Sequence, residues 1–520
     1  MSKTLLKSTG TVSAMTLLSR ISGLVRDIVL AQLIGTLAVA DAFFVAFRIP
    51  NFLRRIFGEG AFAVAFVPVL ADYRANRTPL EGRAFIDVMT GRLGLILLVL
   101  TALGVALAPS VVTVIAPGFL TEPDKFNATV DALRLTFPYL FFISLVAMSA
   151  GILNTCGRFA VPATTPILLN LCLIGAALGL APVMHNAAVA LGAGVFIAGV
   201  AQLVFQVPFL RREEMLPRPS LGTNAIPEVS AGREGASRVF RLMLPALFGT
   251  SVAQINLLVN TFLASFLVTG SVSWLYYSDR LMEFPLGVFG IALATVILPK
   301  LSEQHATQSM DVFSNMLDWA LRWALLIGVP ATVALVILAK PMLTTLFQYR
   351  VFSPHDVEMA SRSLVAFSLG LVGYVLVKVL APGFYARQDT RTPVRVGVIA
   401  MIVNVLVSLA LVVPMAHVGL ALAPSIAAIV NAWLLLRILR REAIYRPLAG
   451  WGGFALRIGV ASAVMGGVLW WGVGEATTWI TATALERIGR LAFWIVAGAL
   501  LYFLGILLLG VKPRQLLLKD

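Results

Sequence analysis

The sequence predicts an all-α polytopic membrane protein of about fourteen transmembrane helices, and three observations carry that prediction. Its residues are 59% hydrophobic and only 12% charged, with a mean hydropathy of +0.91, where soluble globular chains carry about 25% charged residues. Apolar runs of roughly 20 residues, enough to cross a hydrocarbon core of about 30 Å, recur along nearly the whole chain. The runs are apolar all round rather than alternating in polarity, which argues against transmembrane strands. No soluble domain is left over.

The elements follow in order. Residues 1–10 are basic and polar, and the apolar stretch behind them, 11–35, contains Arg20, Arg26 and Asp27 instead of a clean signal-peptide core. It is therefore read as the first spanning helix, retained in the mature protein. The next five spans are expected at 42–73, 85–116, 128–157, 159–184 and 187–210. A polar stretch, 211–241, holds Pro217, Pro219, Pro227 and several Gly and Ser residues, the composition of a linker. Six more spans are expected at 238–268, 272–301, 311–339, 357–387, 394–413 and 418–439, and a last pair at 454–474 and 488–510.

The net charge of +15 comes from Lys and Arg concentrated in the short segments between apolar runs, without aromatic interleaving or a basic domain. This pattern follows the positive-inside rule and argues against nucleic-acid binding. Placing both termini in the cytoplasm puts most of the basic residues inside, among them Arg74, Arg77, Arg83, Arg158, the 211–241 linker, Arg387, Arg391, Arg437, Arg440 and Arg441.

The halves flanking the linker resemble each other. At a shift of 231 residues, Ala63, Val67, Pro68 and Leu70 superpose on Ala294, Leu298, Pro299 and Leu301, and Pro162 superposes on Pro393. A repeat of six helices, an even number, yields two lobes of one orientation with the substrate path between them. The expected organisation is an N-lobe at 1–215, a cytoplasmic linker at 216–237, a C-lobe at 238–446 and two added helices at 447–520.

An ionised side chain at the bilayer centre costs roughly 3 kcal/mol on insertion scales, so intramembrane charges tend to line a cavity and mark function. Here they cluster: Arg20, Arg26 and Asp27 in the first span, Asp41, Arg48, Arg54, Arg55 and Glu59 along the second, and Asp279, Arg280 and Glu283 in the eighth. Arg48, Arg55 and Glu59 share one helical stripe, and Arg280 and Glu283 are i, i+3 neighbours. The repeat would bring these clusters face to face as a cationic cavity whose carboxylates orient the guanidinium groups. Arginine stays protonated and offers a planar fork of donors, which suits a diphosphate or carboxylate. The alternative is that these side chains snorkel to headgroups or form structural ion pairs.

Lys378, alone in the tenth span, reads either as a coupling charge or as a snorkelling one. His185, His305, His355 and His417 are dispersed, and Cys156 and Cys172 sit inside apolar runs, so no metal site or disulfide framework is expected. Walker loops and paired-acid constellations are absent, which argues against an enzyme.

Four strings go further than pattern. They are Ser19-Arg20-x-x-Gly23-x-x-Arg26-Asp27; Asp41 through Phe62, with Arg48, Pro50, Asn51, Arg54, Arg55 and Glu59; Ser273 through Pro285, with Asp279, Arg280 and Glu283; and Val377-Lys378 through Asp389. Together they closely resemble the MurJ (MviN) lipid II flippases, over essentially the whole chain. The resemblance implies the multidrug/oligosaccharidyl-lipid/polysaccharide exporter fold, with the two added helices forming a groove for a lipid tail. It also implies transport of lipid II, the undecaprenyl-diphosphate-linked peptidoglycan precursor, from the cytoplasmic to the periplasmic leaflet of a bacterial inner membrane. Carried over by position, the family's cavity residues fall on Arg20, Arg26, Arg54 and Arg280, with acidic positions at Asp27, Asp41 and Glu283. Arg48, Asn51, Arg55, Glu59, Asp279 and Lys378 complete the motifs as secondary candidates.

No cofactor is implied. The family suggests alternating access driven by the membrane potential or an ion gradient, and the expected partners are lipid II, membrane lipids and the cell-wall synthesis machinery around a monomer. The rival within transport is an exporter of another polyprenyl-diphosphate glycan or of a small-molecule drug.

Overall fold

The computed structural model describes residues 3–55, 61–223, 226–287, 297, 301, 303 and 310–511, and among these it contains helices and turns but no strand. The helices are α1 (Lys3–Ile34), α2 (Ala38–Arg54), α3 (Ala61–Asn76), α4 (Pro79–Ala106), α5 (Ala108–Ile115), α6 (Pro123–Thr136), α7 (Tyr139–Thr155), α8 (Ala160–Gly175), α9 (Ala187–Arg212) and α10 (Pro227–Ala264). They continue with α11 (Ser271–Pro285), α12 (Met310–Phe347), α13 (Pro354–Ser368), α14 (Leu371–Tyr385), α15 (Arg391–Arg441), α16 (Trp451–Val473), α17 (Ala476–Ile480) and α18 (Ala484–Leu508).

Local chemistry explains several starts. Thr78 and Glu81 close a capping box ahead of α4, Ser353 and Asp356 ahead of α13, and Thr483 and Glu486 ahead of α18. Each box satisfies otherwise orphaned backbone donors at the end of a helix with few polar neighbours.

Among the described residues, nine helical segments are long and apolar enough to cross a membrane. The Arg391–Arg441 segment carries two of the expected spans, because Ala416 adopts φ 48° and ψ −130° and interrupts it. Beyond that break, Gly419 lies so close to the Leu411 carbonyl that a Cβ would stand 2.5 Å from its oxygen. The expected spans outside the nine are those of α1, of α2 with α3, of α10 and of α11, and three of these four carry the clustered charges. The single spans expected at 42–73, 85–116, 128–157 and 357–387 each fall on two described helices, α2 with α3, α4 with α5, α6 with α7 and α13 with α14.

The outward surface is apolar: Leu95, Leu98, Leu406, Val413, Trp433, Leu500 and Leu504 are all exposed. Such continuous apolar exposure is costly in water and neutral in lipid, which is the environment of a multi-pass membrane protein.

The chain divides into two compact units, residues 1–270 and 271–520. In the first, α9 is the spine, packed against α2, α6, α7 and α8. Its small residues allow this: a Cβ on Gly194 would fall 2.5 Å from the Ala176 Cβ. α10 packs along α3 and α4, and the segment before it is strapped to α4, where Asp87 accepts from the Arg218 N–H at 2.6 Å. In the second unit α12 is central, touching α13, α14, α16 and α18. The last two long helices dock on it through Leu326, Phe454, Ile458, Met465, Leu469 and Tyr502, and the Tyr502 hydroxyl donates to the Leu326 carbonyl at 2.7 Å.

Candidate functional site

The candidate side chains of the first unit fall into three groups. The innermost lies where α1 meets α8. Arg26, 5% exposed, donates from Nε and Nη2 to Asp27 Oδ1 at 2.9 and 2.7 Å, and from Nη1 to Asn170 Oδ1 at 3.0 Å. Asn170 in turn donates from Nδ2 to the Ser19 carbonyl at 3.1 Å and to Ser22 Oγ at 2.9 Å. Buried amides and carboxylates arranged in this way satisfy one another and fix the guanidinium plane. Arg20, two turns earlier on α1, is half-buried and has no partner among the described residues.

The second group follows α2. Arg48 donates from Nη1 to Thr261 Oγ1 on α10 at 2.7 Å, and Arg54 donates from Nε to Asn51 Oδ1 at 3.0 Å. Arg55 follows the last residue of α2 and caps it, its backbone N–H donating to the Asn51 and Phe52 carbonyls. Glu59 lies outside the described residues, so the expected stripe of Arg48, Arg55 and Glu59 is followed only as far as Arg55.

The third group is at the start of α2. Asp41, 1% exposed, accepts from the Gly270 N–H at 2.8 Å and faces Lys125 Nζ at 3.4 Å. Lys125 also reaches Glu122 at 3.4 Å and Thr269 Oγ1 at 3.1 Å, and sits 4.2 Å from the centre of the Phe119 ring. This small polar core ties α2, α6 and the 265–270 turn together.

In the second unit, Arg280 pairs with Glu283 at 3.0 Å, and its guanidinium lies 5.4 Å from the centre of the Tyr276 ring. Asp279 is half-buried beside them. Lys378 is exposed on α14 and has no partner among the described residues. The structure thus joins Arg26 to Asp27, Arg54 to Asn51 and Arg280 to Glu283, and gives Asp41 a lysine partner.

Sequence reading missed Lys125, Asn170 and Thr261. Lys125 carried a signal: a cation in the first turn of a helix opposes the macrodipole and calls for a buried anion. Asn170 and Thr261 carried none, since an isolated polar side chain is common in apolar helices. A further buried carboxylate, Asp318 on α12, was also missed. It accepts from the Tyr445 hydroxyl and Trp451 Nε1, both at 2.7 Å, from the Leu448 N–H at 3.2 Å and from Arg322 Nε at 2.7 Å.

Charged groups buried in an all-helical, multi-pass chain mark a functional site within the membrane. In fold the chain is similar to an inward-facing multidrug resistance MATE family transporter of the MOP superfamily, 15% identical at a TM-score of 0.68, covering 84% of this chain and 98% of that one. At that identity the likeness speaks for fold alone.

The family follows from closer relatives. A profile described as lipid II flippase MurJ matches residues 30–489. A probable lipid II flippase MurJ from Vibrio cholerae is 46% identical over 99% of this chain and 98% of its own length, and a lipid II flippase MurJ from Burkholderia cenocepacia is 41% identical over 96% and 97%. A solved lipid II flippase MurJ in an inward closed conformation superposes at a TM-score of 0.79 with 26% identity, covering 95% and 97%. The chain belongs to the lipid II flippase MurJ family. It is a transporter of the inner membrane rather than an enzyme.

Proposed function

We propose that the protein carries lipid II from the cytoplasmic to the periplasmic leaflet by alternating access of two six-helix lobes. Arg20, Arg26, Arg54 and Arg280 hold the diphosphate, Asp27, Asp41 and Glu283 orient the cationic side chains, and the two C-terminal helices offer a groove to the polyprenyl tail. Both termini face the cytoplasm, as the distribution of Lys and Arg favours.

The observation that carries this reading is the Arg26 site. A guanidinium 5% exposed within a membrane helix, held by a carboxylate and an amide, is an expensive arrangement that lipid packing alone does not call for. Arginine fits a diphosphate because its fork engages two oxygens at once. A cation-exporting drug pump would favour carboxylates, and the clusters here are richer in arginine.

Energy enters through the membrane potential or an ion gradient. One charge moved across 100 mV is worth about 2.3 kcal/mol, enough to shift a lobe equilibrium nearly fiftyfold. The test is leaflet-resolved measurement of lipid II after depletion of the protein, with complementation by Arg26→Ala, Arg54→Ala and Arg280→Ala. Accumulation on the cytoplasmic side, uncorrected by the variants, is expected. Equal leaflet distributions after depletion would point to another polyprenyl-diphosphate glycan or a small molecule as cargo.

A further inference from the structure

A second candidate site lies wholly within the second unit, and none of the arginines assigned above lines it. A cavity of about 530 Å³ opens between α12, α13, α16 and α17, within the range of about 300–1,000 Å³ of small-molecule pockets. Its inner wall is apolar, with Val336, Ile337, Val365, Val473 and Ile480 among its residues, and its mouth is charged. There Glu358 is shared by two cations, with Lys340 Nζ at 2.6 Å from one oxygen and Arg362 Nε at 3.1 Å from the other.

Two cations on one carboxylate leave a net positive charge at the mouth. The Nη groups of Arg362 and the remaining Nζ protons of Lys340 donate to no other described group. A guanidinium edge and an ammonium held side by side on one carboxylate match the oxygens of a phosphate.

Depth decides which phosphate. Along α12, Lys340 lies about 33 Å beyond Asp318 at 1.5 Å per residue, close to the thickness of the hydrocarbon core. Asp318, Arg322 and Trp451 therefore mark one interface. Lys340, with the exposed indoles of Trp470 and Trp471, marks the other. A cationic mouth at headgroup depth above an apolar slot matches an anionic phospholipid, its phosphate at the mouth and an acyl chain within.

We propose that this cavity is a binding site for an anionic phospholipid in the leaflet at the α17 end of the protein, built from residues other than the charged ones assigned to the transport site. With both termini cytoplasmic this is the periplasmic leaflet, and the binding itself does not depend on which cargo the protein carries.

The experiment reconstitutes the full chain in phosphatidylcholine nanodiscs and titrates phosphatidylglycerol bearing a photoactivatable acyl chain, then maps cross-links by peptide mass spectrometry. Cross-links are expected in the peptides spanning 336–344 and 470–480, with phosphatidylcholine carrying the same probe labelling them far less. Lys340→Gln with Arg362→Gln should raise the phosphatidylglycerol concentration required by roughly thirtyfold, at about a single headgroup interaction per cation. Glu358→Gln should lower it, because both cations then face the phosphate alone. A purely structural salt bridge would make both variants move labelling in the same direction, and that result overturns the proposal. So does equal labelling by phosphatidylcholine, which would mark ordinary annular lipid. Competition by free glycerol phosphate as effective as that by unlabelled phosphatidylglycerol would make a soluble anion the occupant and would likewise overturn it.

Discussion

Lys125 and Asp41 face each other at 3.4 Å with both side chains 1% exposed, and no other buried carboxylate–lysine pair occurs among the described residues. Removing one partner strands the other charge, which costs about 3–5 kcal/mol, whereas removing both costs much less. Lys125→Met should therefore lower the midpoint of thermal unfolding in detergent more than Lys125→Met with Asp41→Asn does. Strictly additive losses in that double-mutant cycle would show that the two groups do not interact.

Arg26 uses three of its nitrogens on Asp27 and Asn170, a pattern an ammonium cannot reproduce. Arg26→Lys is expected to lose lipid II translocation nearly as fully as Arg26→Ala, although charge is kept. Wild-type flipping by the lysine variant in vesicles would mean that charge alone suffices.

The side chains of the Arg280–Glu283 pair are 34% and 42% exposed, so its contribution to stability lies within about 1 kcal/mol. Arg280→Ala should insert and melt like the parent yet fail to translocate. A large fall in melting temperature accompanied by normal transport would reverse the assignment, making the pair structural.

Asp318 is fully buried and accepts from four donors that belong to α12, the 442–450 segment and α16. Asp318→Ala leaves those donors unsatisfied and should cost about 3–5 kcal/mol. Hydrogen exchange should rise first in 442–455, ahead of α1 to α9. Uniform exchange across the chain would argue against a local joint.

Much of the fold was legible because the bilayer imposes it. Lipid forces every backbone donor and acceptor to be satisfied within the segment, so apolar length alone predicts helix, and the spans expected from 85 to 210 and from 311 to 510 fall on described helices, those at 85–116, 128–157 and 357–387 on two helices each. The helix starts after Thr78, Ser353 and Thr483, set by capping boxes, lie three to six residues ahead of the expected 85, 357 and 488. The division of the second span was not legible, since Pro50 and Pro68 are equally compatible with a bent single helix.

The candidate residues divide in the same way. Arg20, Arg26, Asp27, Asp41, Arg48, Arg54, Arg55, Asp279, Arg280 and Glu283 could be named from the sequence because a charge in an apolar run is conspicuous. Their partners could not be, because Asn170, Thr261 and Lys125 lie 144, 213 and 84 positions away from Arg26, Arg48 and Asp41. Sequence by itself determined the membrane class, the helical content and the presence of an arginine-rich set, all consequences of solvation that each residue meets locally. Only the tertiary structure decided that Arg26 is clamped by Asn170, that Asp41 is neutralised by Lys125 and that Asp318 joins α12 to α16. Those pairings depend on which helix faces meet, and that choice is made by packing over long separations in the chain.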